Sequence, residues 1–172
     1  MRVAASCLLT LVLLAGLATR LATAEDRMVY AAKATSKFVN FPGLPTCMTG
    51  SVQHGDPGSG ASVILAKSTT GCIVPWHWHT ADEQLMIVNG SAKVSMKDAQ
   101  PTSLHSGDYA SLPGKSAHQF TCVAACTLFI MPSGAFDIHY VDKDGKEISP
   151  DEALKSKMKA PMKKEMKKHM KM

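Results

Sequence analysis

The chain has 172 residues and an apolar fraction of 45%, which excludes disorder from end to end and allows one domain with a sizeable core. Its net charge is +5, but residues 155–172 carry eight lysines against the single acid Glu165, a net +7, while residues 25–154 carry nine basic and thirteen acidic side chains, a net −4. The body is therefore acidic, and the basic overall balance does not imply a nucleic-acid-binding barrel.

The first 24 residues read as a secretory signal peptide. Arg2 is a minimal basic start, Val3 to Ala18 is an apolar core, and Ala22-Thr23-Ala24 is a small-x-small cleavage site. Arg20 interrupts the apolar run before the roughly 20 residues a membrane span needs. Cleavage near Ala24 would make the protein secreted or periplasmic and leave a domain over residues 25–154, followed by a tail over residues 155–172.

Residues 25–50 are a lead-in, with Phe38–Phe41 as a first short strand. Gln53 to Gly60 is rich in glycine and reads as a loop. Ala61–Lys67 reads as a strand, and Gly71 turns the chain into a segment containing His77 and His79. Leu85–Val88 then ends at Asn89-Gly90, a dipeptide typical of tight hairpin turns, and Ala92–Met96 alternates polar and apolar residues as its hairpin partner would. Pro101–Leu104, Tyr109–Leu112, Ala117–Val123, Thr127–Met131 and Ile138–Val141 follow, with Ala117–Val123 and Thr127–Met131 expected to pair. Many short strands separated by Gly, Pro and Asn turns indicate an all-β sandwich or barrel.

Two imidazoles, His77 and His79, stand at i and i+2, so on a strand they share one face. Glu83 follows a short polar break, Thr80-Ala81-Asp82, and a hairpin there would bring its carboxylate back beside them. His118 is the third imidazole. Three neutral imidazoles and one carboxylate suit a divalent transition metal, with Fe, Mn, Zn, Ni and Cu all compatible with the set. Inward His77 and His79 would leave Trp76 and Trp78 facing out, together with Met86 and Val88. An uncovered patch of that kind is unusual. It calls either for the lead-in, residues 28–41, folded over it or for a homodimer with exchanged lead-ins.

Without Cys7 of the leader, Cys47, Cys72, Cys122 and Cys126 remain. An even count in an exported chain suggests disulfides. Three pairings exist. Cys122 and Cys126 are close in sequence, which leaves Cys47 with Cys72; buried thiols or a metal role for Cys122 and Cys126 are the alternatives. In the tail, Met158, Met162, Met166 and Met170 recur every four residues around Pro161. A solvated tail, weak contact with an anionic membrane surface, and a soft copper patch with His169 are the three readings. His54, His105 and His139 read as surface or structural residues.

The pattern G-x5-H-x-H-x3-E-x6-G from Gly71 to Gly90 resembles the first cupin motif, and G-x5-P-x4-H from Gly107 through Pro113 to His118 resembles the second, with 16 residues between them. Lys115 and Cys122 stand where the second motif commonly has glycine and asparagine, which puts loop geometry in question and not the ligands. The resemblance implies a single cupin jelly-roll barrel with His77, His79, Glu83 and His118 as metal ligands. Cupins of this kind include dioxygenases and isomerases acting on small oxygen-bearing molecules. The reading therefore leans to a metal-dependent oxidoreductase of dioxygenase type, with a non-catalytic metal-binding or ligand-sensing barrel as the alternative. The ending FDIHYVDKDGKEI is also weakly similar to regulator-type cupins that bind zinc.

Overall fold

In a computed structural model describing residues 28–32, 35–97 and 99–158, the chain forms two facing antiparallel sheets. The strands are β1 Met48–Gly55, β2 Ser62–Ser68, β3 Ile73–Trp78, β4 Glu83–Asn89, β5 Ser91–Met96, β6 Thr102–His105, β7 Tyr109–Leu112, β8 His118–Cys122, β9 Cys126–Pro132, β10 His139–Val141 and β11 Glu147–Ile148, followed by helix α1, Pro150–Met158. One sheet has the order β1-β2-β9-β4-β7 and the other β11-β10-β3-β8-β5-β6. This is the all-β jelly-roll barrel expected. The expected leader and cleavage site, and the tail from residue 159, lie outside the described residues.

Three hairpin expectations are overturned. β3 and β4, β4 and β5, and β8 and β9 are consecutive, yet each pair divides between the two sheets. The short turns that connect them are arches between sheets. At the β4–β5 arch, Gly90 has φ +85, and a Cβ there would stand 2.1 Å from the Ala125 carbonyl oxygen. Glycine is thus required both for the conformation and for the close approach. A turn dipeptide signals a reversal of direction; whether the next strand stays in the same sheet depends on partners distant in sequence.

Other boundaries also differ. Phe38–Phe41 contributes only an isolated bridge, Val39 to Gly50. β1 occupies part of the segment read as lead-in and loop, because Gly50, Gly55 and its polar residues mask the alternation. The shift in register after Val52 breaks the pattern further. β11 falls where a closing turn was expected, and α1 begins ahead of the disordered or helical tail expected over residues 155–172. α1 starts at Pro150, which suits a helix's first turn, with Asp151 and Glu152 at its positive end. It buries Ala153, and the expected boundary at residues 154/155 falls inside it.

The core lies between the sheets, with Met48, Ile64, Val74, Leu85, Ile87, Phe120, Leu128 and Ile130 among its buried side chains. Trp76 and Trp78 do face outward, but the lead-in does not cover them. Trp78 stacks on His139 of β10, ring centroids 3.9 Å apart, and Trp76 faces a recess bounded by the β10–β11 turn and α1. The lead-in lies instead against the other sheet, where the Lys67 ammonium sits 3.8 Å over the Phe38 ring. On that sheet's outer face Met86, Val88 and Tyr109 remain exposed. Cys47 pairs with Cys72, and Cys122 with Cys126, at Cα separations of 5.8 and 6.0 Å.

Candidate metal centre

Strand phase is what turns the histidines inward. Val74 and His77 are both buried although they lie three positions apart. Strict alternation would put one of them outside. The β3–β8 register shifts between Val74 and His77, and Pro75, which has no N–H for the ladder, sits in that shift. The extra residue resets the phase, so His77 and His79 point into the barrel while Trp76 and Trp78 point out. His118 starts β8 directly opposite His77. Glu83 starts β4 on the facing sheet, between Leu112 of β7 and Pro132 of β9.

The Thr80-Ala81-Asp82 arch that carries Glu83 across is pinned at several points. The Gly114 N–H donates to Asp82 Oδ1 at 2.8 Å, the Ser133 N–H to the Asp82 carbonyl at 2.9 Å and the Lys115 N–H to the His79 carbonyl at 2.7 Å. Lys115 has φ 61, in the left-handed region that favours glycine, and it stands where the resembled motif commonly has glycine. The sequence departure is thus accommodated by strain at one residue and leaves the ligand positions intact.

His77, His79, Glu83 and His118 are all buried. The ligand atoms of the three imidazoles lie within 4.8 Å of one another. Glu83 Oε1 is 3.5 Å from His79 Nε2, and Oε2 is 3.5 Å from His118 Nε2. The expected four residues therefore meet at one place.

Hydrogen bonding fixes the tautomers. His77 Nδ1 donates to the Pro75 carbonyl at 2.6 Å, His118 Nδ1 to the Ser116 carbonyl at 3.0 Å, and His79 Nδ1 to the Asp137 carbonyl. A carbonyl only accepts, so each Nδ1 carries a proton, and each ring in its neutral form presents an Nε2 lone pair inward. Backbone acceptors of this kind are the usual outer partners of metal-binding histidines. Burial, with the neighbouring His118 and His79, holds the His77 pKa well below its ordinary 6.5.

The centre is consequently a set of acceptors facing one another. The Nε2 atoms of His79 and His118 are buried with no hydrogen-bond partner, and what faces them is a carboxylate, another acceptor, at a distance too long for a good hydrogen bond. Buried polar atoms are rarely left so. A cation between them would satisfy all of them at once. The residues thus fit a transition ion held by three imidazole nitrogens and one carboxylate.

Sequence reasoning missed the residues around this centre. The cavity beside it is about 30 Å³ and is walled by apolar side chains, among them Leu44 and Phe136. Phe136 lies on the β9–β10 connection, its ring 5.1 Å from that of His79. Asp137 holds the Thr80 N–H through Oδ1 at 2.8 Å, and its carboxylate contacts His139. No local pattern marks these connection residues. A larger cavity, about 540 Å³, is the recess beside Trp76 and α1. None of the four candidate ligands lines it.

No family model matches the sequence, and no curated protein does. Solved structures do match the fold. The polyketide cyclase RemF from Streptomyces resistomycificus aligns with a TM-score of 0.57 at 15% identity, over 69% of this chain and 90% of that one. An RmlC-like cupin from Ralstonia eutropha aligns at 0.56 and 19% identity, over 69% and 74% of the two chains. The chain has the cupin fold. A second RmlC-like cupin, from Shewanella frigidimarina, agrees, with a TM-score of 0.54 and 16% identity over 63% of this chain and 93% of its own. At these identities the likeness speaks to the fold alone. The buried histidine cluster, located by geometry, falls on the residues that carry the cupin motif resemblance.

Proposed function

We propose that this protein is an exported, metal-dependent cupin. In this reading it holds a divalent transition ion on His77, His79, Glu83 and His118 and acts, as a dioxygenase- or isomerase-like enzyme, on a small oxygen-bearing ligand. The observation that carries the reading is the buried, unpartnered Nε2 atoms of His79 and His118 facing the Glu83 carboxylate. A bound ion would supply Lewis acidity or, if redox-active, dioxygen chemistry. The chain's own part is to hold three Nε2 lone pairs on one point, to offset one positive charge with Glu83, and to keep water away with apolar walls.

A second reading is a non-catalytic metal-binding barrel, and the small cavity beside the centre favours it. Elemental analysis of protein purified from its native compartment, combined with an oxygen-uptake assay on small oxygen ligands, separates the two. A redox metal with ligand-dependent uptake supports the enzyme; zinc alone with no turnover supports the binding role.

Export rests on the leader-like residues 1–24 and on the two cysteine pairs, which suit an oxidising compartment. N-terminal sequencing of the exported protein should begin at Glu25. A homodimer through the outer face carrying Met86, Val88 and Tyr109 is part of the proposal, and sedimentation at micromolar concentration tests it. Weak membrane contact by the Lys-rich tail is tested by binding to anionic vesicles.

A further inference from the structure

We infer that the ligand of this centre is a compact molecule with an apolar body that reaches the ion through oxygen as a monoanion, and that the Phe136 side chain sets its size. The inference rests on the metal-centre reading above and gives that site a ligand class.

Three features of the cavity carry it. The first is the lining. Apart from His77, His79 and Glu83, every lining side chain is apolar, including Met48, Val74, Leu85, Phe120 and Ile130. No lysine, arginine, hydroxyl or amide side chain lines it among the described residues. A sugar or a polyacid bound there would bury hydroxyl or carboxylate groups with nothing to pair them, and unpaired buried polar groups are costly. The polar atoms of a fitting ligand are therefore those that touch the ion.

The second feature is charge. A divalent ion with one carboxylate and three neutral imidazoles leaves a single positive charge in an apolar surrounding. A monoanionic oxygen donor neutralises it, while a dianion leaves buried negative charge.

The third is volume. The cavity of about 30 Å³ has room for roughly two water-sized groups. Anything larger must displace part of the wall. Leu44 and Phe136 are the two half-buried members; Phe136 is the larger, its ring is 5.1 Å from that of His79, and it sits on the connection between β9 and β10. The backbone there is tied down, with the Phe136 N–H on the Pro57 carbonyl at 2.8 Å and the Asp137 carbonyl accepting from His79 Nδ1. The element free to yield is the ring itself, by rotation about its side-chain bonds.

The test uses full-length protein loaded with Co(II), its cobalt content fixed by elemental analysis before any ligand is added. Visible spectra are then titrated with azide, benzoate and gluconate in the wild type, in Phe136→Leu and in Phe136→Ala. Azide should shift the cobalt bands in all three proteins. Benzoate should bind roughly tenfold tighter to Phe136→Ala than to the wild type, with Phe136→Leu between them, and gluconate should bind none of them. Equal benzoate affinity in the wild type and a folded Phe136 variant would overturn the gating role. Gluconate binding as tight as benzoate would overturn the ligand class. Failure to hold cobalt at all would overturn the metal-centre reading, which is thereby told apart from failure of the ligand claim.

Discussion

The Oε2 atom of Glu83 lies 3.5 Å from Nε2 of His118, although the two residues open strands on opposite sheets of the barrel. An ion between them would therefore join the sheets as well as fill the centre. A species that binds only the folded state stabilises it by mass action, by about 2.7 kcal/mol at a free concentration one hundred times Kd. Adding a strong chelator to metal-loaded protein at neutral pH should lower the melting temperature by several degrees. Equal melting curves with and without chelator would remove the claim that the metal braces the barrel.

Acid should weaken the metal-free protein as well. His77 is held neutral in the folded state, its pKa well below the ordinary 6.5, chiefly by burial. The unfolded chain takes up a proton at this residue near 6.5 while the folded chain does not. Proton binding therefore favours unfolding, and stability falls as pH drops below about 6.5. Metal binding needs neutral imidazoles, so metal should leave over the same range. Urea denaturation of chelated protein between pH 7.5 and 5 measures the first effect. A midpoint that does not move would contradict the neutral, buried His77.

Lys115 offers a gain in stability. Its φ of 61 costs a residue with a Cβ about 1–2 kcal/mol, whereas glycine there costs about 0.4–1 kcal/mol of unfolded-state entropy. The strain is the larger quantity, so Lys115→Gly should stabilise by about 0.5–1 kcal/mol. Thermal unfolding should show a rise of a few degrees, and a fall would mean that the lysine side chain makes a stabilising contact of its own.

α1 is the piece of the C-terminal region expected to matter for folding. Ala153 is 2% exposed, and the helix packs on β10 and β3 beside Trp76. Ala153→Asp would bury a carboxylate without a partner and should cost at least about 2 kcal/mol. Truncation after Met158 should leave the melting temperature and metal content as they are, and truncation after Ser149 should lower the melting temperature. If both truncations behave like the full chain, the helix contributes nothing to the barrel.

The residues that cluster at the centre were legible in the sequence because their signals are short-range: two histidines at i, i+2, a glutamate four residues on, and a second histidine motif. The strand segments were mostly legible for the same reason, from alternation and turn residues. Pairing was not. Asn89-Gly90 and the Thr80-Ala81-Asp82 break both look like hairpin turns locally, yet each carries the chain to the other sheet, a choice made by β9, β8 and β7 pairing from a distance. Pro75 in a strand was visible, but its effect on the phase of His77 appears only once β8 is laid beside it. Phe136 had no signal, since an aromatic residue in a connection between strands looks the same whether it caps a cavity or faces solvent.

Metal stoichiometry in the wild type and in His118→Ala tests the central claim most directly. Both proteins are purified without added metal, checked for folding by circular dichroism, equilibrated with one transition ion at pH 7.5, desalted and measured by elemental analysis. The account predicts about one ion per chain in the wild type and close to none in folded His118→Ala, because removing one of three imidazoles takes away a principal donor. A wild type that retains no ion, or a variant that retains as much as the wild type, would contradict it.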